Sequence, residues 1–547
     1  MPIDVALRGG FLGDWQALNR AATIPHCIEQ LEAVGAVENF RRVIGASSAH
    51  YGGFRYSDSD LYKVLEATGW AGEGPWTPWV DEVARLLAAA QEDDGYLNSY
   101  YQGGPRFGEL EHSHELYCLG HLIQAGIAHA RTTGRRDILD DATRFADLIV
   151  REGQDLLEGH PEPELALVEL YRETGREEYL ALASRMIERR GHGQLGGSEY
   201  LLDHAPVRDA TAAAGHAVRQ LYLACGVVDV YLETRDETLL DAAKALWHDI
   251  YAAKAYVTGG LGARESGEAF GAPYELPAAT AYAETCAAIA GFMFNWRLLL
   301  ATGEPRFADE LERALYNAIA VGVGEDGRTF FYANPLASYG GVERQPWFAC
   351  CCCPTNVARF AASLQHYVAT GDDRSIHLHL LANARIDAPA AELSVETAYP
   401  FDGRVEIAVR RPVAGFELTV RGERFTPRDG ERIELELPLP VRLVSAHPRV
   451  DAARGQVALA RGPVVYCVEQ ADHEVPLDDL RIDPERPPEA KDGRLEGVAK
   501  VAPAAGDVLY GEYAPASSAS GETRLTAIPY FRWGNKGPGA MRVWIPI

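Results

Sequence analysis

The run Leu116-Tyr117-Cys118-Leu119-Gly120-His121-Leu122-Ile123-Gln124-Ala125-Gly126-Ile127-Ala128-His129-Ala130-Arg131-Thr132 carries apolar residues at three- and four-residue spacing and breaks at Thr133-Gly134-Arg135. Such spacing lays an apolar stripe along an α-helix, and a glycine after the last turn is the expected stop. The pattern recurs on both sides. Apolar periodicity also runs through Leu61 to Ala67, Val80 to Gln91, Leu165 to Glu173 and Ala217 to Leu232. The turn signature returns as Thr68-Gly69, Thr174-Gly175-Arg176, Thr234-Arg235-Asp236, Thr302-Gly303-Glu304 and Thr370-Gly371-Asp372. These six turns are spaced 65, 41, 60, 68 and 68 residues apart. A solenoid would hold a fixed period of roughly 20–50 residues. Helical hairpins with loops of variable length instead predict a closed (α/α)6 toroid whose loops gather at one mouth.

After Asp373 the period changes. Ile376 to Leu380, Glu392 to Thr397, Arg404 to Val409, Phe416 to Val420 and Arg432 to Leu437 are short alternating runs separated by Pro, Gly and Asp, as in antiparallel β-sandwich modules. A Pro- and acid-rich stretch, Pro476 to Glu496, divides the tail. The expected organisation is therefore multidomain α plus β. Residues 1–10 form a segment that joins a β module, 11–371 the helical toroid, 372–470 a β-sandwich module and 471–547 a second β module.

The 547 residues carry 78 acidic and 52 basic side chains, a formal net charge of −26. A field of that sign repels phosphate backbones and anionic lipid, so a neutral substrate is expected rather than nucleic acid or a membrane. Met1-Pro2-Ile3-Asp4-Val5-Ala6-Leu7-Arg8 lacks the basic and apolar regions of a secretory signal, and no uncharged run approaches a membrane span. A cytoplasmic location is expected. The β-rich tail is compatible with a homodimer, although no self-complementary edge is legible.

Nine cysteines, an odd number in a large chain, argue against a disulfide framework. Four of them are consecutive, in Trp347-Phe348-Ala349-Cys350-Cys351-Cys352-Cys353-Pro354-Thr355-Asn356. Clustered thiolates are soft ligands and point to a metal; a run of buried small hydrophobes is the competing reading. Further ligands are offered by Glu284-Thr285-Cys286. Residues two apart face different sides of a regular helix, so both reach one ion only at a helix start or in irregular backbone. Upstream, Thr258-Gly259-Gly260-Leu261-Gly262 and Gly267-Glu268-Ala269-Phe270-Gly271 lack the Gly-Lys-Ser/Thr of a phosphate loop; they suit a loop that sets Glu268 beside a ligand, with a lone surface glutamate as the alternative. His114, Cys118 and His121 share one helical face, where packing is the more ordinary role than metal binding. His160 and His216 each follow a glycine near a helix start. With Tyr332, they are the neutral donor-acceptors and aromatic faces that a sugar pocket uses.

These pieces, together with Arg313-Ala314-Leu315-Tyr316-Asn317, Phe330-Phe331-Tyr332-Ala333-Asn334-Pro335-Leu336 and Arg461-Gly462-Pro463-Val464-Val465-Tyr466, resemble glycoside hydrolase family 127 in order over nearly the whole chain. That is the β-L-arabinofuranosidase family, once labelled only as a domain of unknown function. The resemblance implies an (α/α)6 barrel followed by β-sandwich domains. It also implies Zn2+ held by Glu284, Cys286, Cys352 and Cys353, with Cys352 as nucleophile and Glu268 as acid/base. His114, His160, His216 and Tyr332 would line the sugar pocket. Two features depart from the family pattern: Cys351 stands where a small non-cysteine residue is usual, which leaves a cysteine register shifted by one as an alternative, and the segment between Tyr332 and Trp347 is short. The activity so implied is retaining release of L-arabinose from a small or oligosaccharide substrate. Two alternatives stand beside it: the same site acting on another plant-derived sugar, and an inert carbohydrate-binding protein with structural zinc.

Overall fold

A computed structural model describes residues 3–502 and 521–547. Six helices form an inner ring: α1 (Ser57–Ala71), α2 (Glu115–Thr133), α3 (Pro163–Thr174), α4 (Ala217–Thr234), α5 (Thr285–Thr302) and α6 (Cys352–Ala362). Each packs on the next, and α6 packs back on α1, so the ring is closed. Outer helices Asp137–Glu152, Glu177–Arg189, Glu237–Ala253 and Pro305–Arg313 return the chain between inner ones. The N-terminal helices from Gly10 to Ala33 cover α6 from outside. The helix Thr285–Thr302 is long and apolar enough to cross a membrane by composition alone, but it is α5, mostly buried within the barrel.

Four of the expected turns end inner helices by one device. Gly134, Gly175, Arg235 and Gly303 take left-handed φ of 74°, 72°, 61° and 69°. The threonine before each donates its hydroxyl to the carbonyl four residues back. Two turns are corrected. Thr68-Gly69 lies inside α1, which ends at Gly72. A Cβ on Gly69 would sit 2.8 Å from Ala128 Cβ and 2.9 Å from His129 N, so this glycine permits close contact between α1 and α2 rather than stopping a helix. Thr370-Gly371 belongs to the strand Ala369–Gly371, already outside the barrel.

All six inner helices run the same way. Their N-termini meet at one mouth, and their C-terminal ends line a cavity at the other. The interior between is polar. Arg359 donates to Glu66 (2.9 Å), Gln124 (2.7 Å) and Tyr222 (2.9 Å), and Arg297 to Asp229 (2.5 Å) and Glu169 (3.1 Å). Charges buried this deeply are tolerable only when paired, as these are.

The expected strands form as Ser375–Leu378, Glu392–Thr397, Arg404–Arg410, Glu417–Val420 and Arg432–Glu436. Asp4–Leu7 pairs antiparallel with Ala384–Asp387, placing the chain start at the edge of a five-stranded sheet. A four-stranded sheet contains one parallel pair, Ser375–Leu378 with Glu417–Val420. The boundary expected at 470/471 falls within a third sheet, where Val464–Glu469 pairs with Gly521–Pro529; that sheet begins at Val441–Val444. It also recruits Ala337–Tyr339 from the barrel, which pairs with Ala540–Arg542. Arg344 from the same segment donates to Trp533 O at 2.6 Å. The C-terminal sheet thereby fixes the segment that follows Tyr332.

Candidate active site

Each inner helix delivers one part of the site at its N-terminus. Tyr56, His114, His216 and Glu284 are the N-cap residues of α1, α2, α4 and α5, Cys352 is the first residue of α6, and His160 lies three residues before α3. Ring contacts trace the wall between them: Tyr56 to His114 at 4.8 Å, His114 to His160 at 5.6 Å and His160 to His216 at 5.7 Å between centroids. Six helix N-termini at one mouth favour negative charge there.

The donor atoms of Glu284, Cys286, Cys352 and Cys353 all lie within 4.8 Å of one another. Cys286 Sγ is 3.4 Å from Cys353 Sγ, and Glu284 Oε1 is 3.6 Å from Cys353 Sγ and 3.7 Å from Cys352 Sγ. Glu284 and Cys286 converge because one is an N-cap with φ −59° and ψ 138° and the other lies in the first helical turn, the helix start that their spacing demanded. Burial raises the Cys286 thiol, but hydrogen bonds from Cys352 and Cys353 outweigh it and bring it down to about 6. Burial, then the neighbouring Cys352, drives the Glu284 carboxyl well above the usual range. Glu284 Oε2 is buried without a hydrogen-bond partner among the described residues. A four-donor S3O set with an orphaned carboxylate oxygen fits a divalent cation.

The other two cysteines of the run face elsewhere. Cys351 is buried with its Sγ 3.2 Å from Asp60 Oδ2, on the side of the Asp60–Lys63 pair. Cys350 sits at the pocket rim, 3.8 Å from Tyr56 Oη and 3.9 Å from Tyr332 Oη. The four-donor cluster thus takes the last two cysteines of the run.

Glu268 projects from a tight loop in which Gly267 and Glu268 itself take positive φ of 72° and 50°. His216 Nδ1 accepts from the Arg219 N–H, so its Nε2–H donates to Glu268 Oε2 at 2.7 Å. Tyr282 and Tyr332 donate to Oε1 at 2.7 and 3.1 Å. Burial alone would raise this carboxyl; the His216 contact, followed by the two tyrosines, brings it down to about 2. Tyr332 Oη is also 3.1 Å from Cys352 Sγ, so one phenol bridges glutamate and thiol. Burial first, then Arg219, holds His114 down to about 3 and His160 well below the ordinary value. Each of these neutral rings donates Nδ1–H to a carbonyl, of His112 and Pro161 respectively, at 2.8 Å, which leaves Nε2 as an acceptor. His121 is buried two turns further along α2, apart from the cluster, with Nδ1 3.4 Å from Glu162 Oε1.

Every site residue read from the sequence therefore lies at this mouth. Two were missed. Tyr282 precedes Glu284 by two residues, but Ala283 at φ 40° breaks any periodic relation between them. Tyr56 ends an irregular segment with no pattern to single it out.

A closed inner ring of helices places a glutamate, a thiol cluster and neutral histidines at one mouth of an (α/α)6 barrel with appended β domains, the parts that acid-base and thiol chemistry on a neutral substrate would use. Comparison with known proteins agrees and narrows it. Residues 4–366 match the β-L-arabinofuranosidase GH127 catalytic domain, and residues 441–546 match the glycoside hydrolase family 127 C-terminal domain. The chain belongs to glycoside hydrolase family 127. It is 33% identical to the non-reducing end β-L-arabinofuranosidase of Bifidobacterium longum subsp. longum, over 93% of this chain and 92% of that one. Among solved structures it is similar to a GH127 β-L-arabinofuranosidase from Geobacillus stearothermophilus T6 (TM-score 0.93, 34% identity, 99% of this chain and 100% of that one). A second is a GH127 β-arabinofuranosidase (TM-score 0.90, 32% identity, 99% and 96%).

Proposed function

We propose that the chain is a retaining exo-glycosidase that releases L-arabinose from β-L-arabinofuranosides. Cys352 is the nucleophile, Glu268 the acid and then the base, and zinc is held by Glu284, Cys286, Cys352 and Cys353. The observation that carries this reading is the Tyr332 hydroxyl, 3.1 Å both from Glu268 Oε1 and from Cys352 Sγ, joining a proton carrier to a thiol in one pocket. The choice of sugar rests on what the relatives' names say they act on.

A free thiol is mostly protonated at neutral pH, and zinc, when bound, supplies the charge that keeps its coordinating thiols deprotonated. Cys352 Sγ attacks the anomeric carbon; as the S–C bond forms, the C–O bond to the leaving group breaks and Glu268 gives its proton to the departing oxygen. The glycosyl group then rests on sulfur. In the second step the Glu268 carboxylate takes a proton from water, whose oxygen attacks the anomeric carbon and returns the bonding pair to sulfur. Two inversions retain configuration.

The pocket holds Glu268 as the carboxylate, the form the second step uses. The first step needs it protonated. Turning the Tyr332 hydroxyl from Oε1 to Cys352 Sγ frees one lone pair of Oε1 for that proton, and the equal distances allow the exchange without movement of the ring. His114 and His160, kept neutral by burial, offer Nε2 acceptors to sugar hydroxyls.

A panel of nitrophenyl glycosides with detection of free L-arabinose, run beside elemental analysis of protein purified without added metal, tests this reading. The expected result is hydrolysis of the β-L-arabinofuranoside and one zinc per chain. Hydrolysis of another glycoside alone would replace the sugar. No hydrolysis would leave a binding protein, and full activity without metal would overturn the zinc assignment.

A further inference from the structure

Phe54 has no place in the hydrophobic core. It is 44% exposed, on the loop that enters α1, and it is not among the side chains packed against the core. Exposure of one apolar ring is ordinary and by itself means nothing. Its orientation and position carry the argument. Phe54 lies parallel to Tyr56, with centroids 5.3 Å apart and 7° between planes. Tyr56 in turn is part of the pocket wall, tilted by 35° against His114 with centroids 4.8 Å apart, and 3.8 Å from Cys350 Sγ. Phe54 therefore continues the wall outward, one ring beyond the residues that enclose the reacting sugar.

The loop is tied by its own hydrogen bonds and an ion pair. Phe54 O accepts from the Tyr51 hydroxyl at 2.8 Å and from the Ser57 N–H at 2.9 Å. Arg55 is tied to Glu109 at 2.7 Å. A fixed aromatic face costs little ordering on binding. It also matches the apolar C–H face of a neutral sugar ring, the kind of partner that aromatic side chains in carbohydrate pockets meet.

We infer that Phe54 is a stacking platform for the leaving-group sugar of the substrate, one ring outside the catalytic pocket. The inference rests on the glycosidase reading above and adds to it the place of the second sugar. An exo-enzyme holds that sugar beyond the one it cleaves, and Phe54 extends the wall of rings in that direction.

The test compares wild type with Phe54→Ala on two substrates that share the cleaved sugar: a β-L-arabinofuranosyl disaccharide and methyl β-L-arabinofuranoside, which has no second ring. The variant should lose about five- to tenfold in kcat/KM on the disaccharide, mostly through KM, and less than about twofold on the methyl glycoside. Phe54→Trp should restore the disaccharide value. Equal losses on both substrates, or none on either, would overturn the platform. Should wild type cleave neither glycoside, the glycosidase reading itself has failed. Calorimetric titration with the disaccharide then decides the platform separately: weaker binding to Phe54→Ala upholds it, and equal binding rejects it.

Discussion

Replacing Glu268 by Gln changes one atom and tests the acid/base assignment from two directions. Three donors converge on the carboxylate, His216 on Oε2 and the hydroxyls of Tyr282 and Tyr332 on Oε1. An amide has one acceptor oxygen. If that oxygen faces the tyrosines, the amide N–H meets the His216 N–H, and His216 cannot readily switch tautomer because its Nδ1 already accepts from the Arg219 N–H. If it faces His216, the hydroxyls can rotate away, so this second orientation is the one expected. The local loss is one or two charge-assisted hydrogen bonds, on the order of 1–3 kcal/mol of stability, and the fold survives. The catalytic loss is larger. General acid-base assistance contributes about 10²–10⁴-fold, and alkyl glycosides, whose leaving groups need the proton, should lose all of it. A nitrophenyl glycoside needs little protonation to depart. Its first step should persist while water attack on the glycosyl-cysteine stalls, giving a burst of nitrophenolate equal to the enzyme concentration and then a slow phase. Azide, which needs no general base, should speed that phase. Stopped-flow absorbance reads all of this. Equal loss on alkyl and nitrophenyl substrates, with no burst and no azide effect, would refute the role of Glu268.

Gly69→Ala should destabilise the barrel by about 1–3 kcal/mol despite alanine's better helix propensity, because its Cβ meets Ala128 Cβ at 2.8 Å and backbone N of His129 at 2.9 Å; a denaturant melt showing stabilisation would remove the close-contact explanation of this glycine. His129, bonded to Leu65 O at 3.0 Å, is pushed by burial from 6.5 to about 4. The unfolded chain takes up that proton near pH 6.5 and the folded chain only near pH 4, so its share of stability is complete above the upper value and falls by about 1.4 kcal/mol per pH unit between the two. His129→Gln should flatten the pH dependence of unfolding in that window by the same slope, and an unchanged slope in urea melts would contradict it.

The parts of this molecule written in local pattern were legible. Thr133-Gly134 and its three true equivalents combine a hydroxyl bonded to the carbonyl four residues back with a left-handed residue, a device whose sequence signal is two consecutive residues. Strands such as Glu392–Thr397 alternate cleanly because one face is buried. Thr68-Gly69 misled because a glycine that stops a helix and one that admits a neighbouring helix look the same until Ala128 is placed beside it. The sheet boundary near Val441 was hidden for a similar reason, since the pairing of Val464–Glu469 with Gly521–Pro529 crosses more than 50 residues. In the site, the cysteine run and Glu284-Thr285-Cys286 read as candidate metal ligands by residue type. Their meeting depends on two helix starts 66 residues apart, Cys286 and Cys352, which spacing alone does not reveal. Tyr332 is legible as a pocket aromatic by residue type and by the family resemblance, but its place between Glu268 and Cys352 is a product of the assembled ring.

The central claim is that sulfur of Cys352 carries the sugar. It is tested most directly by quenching Glu268→Gln in acid during the slow phase with a nitrophenyl β-L-arabinofuranoside, then locating the adduct by peptide mass spectrometry. The account predicts a single pentosyl group on Cys352, with Cys350, Cys351 and Cys353 unmodified. A pentosyl group on any of those three cysteines or on Glu284, or its absence from an enzyme that shows the burst, would contradict it.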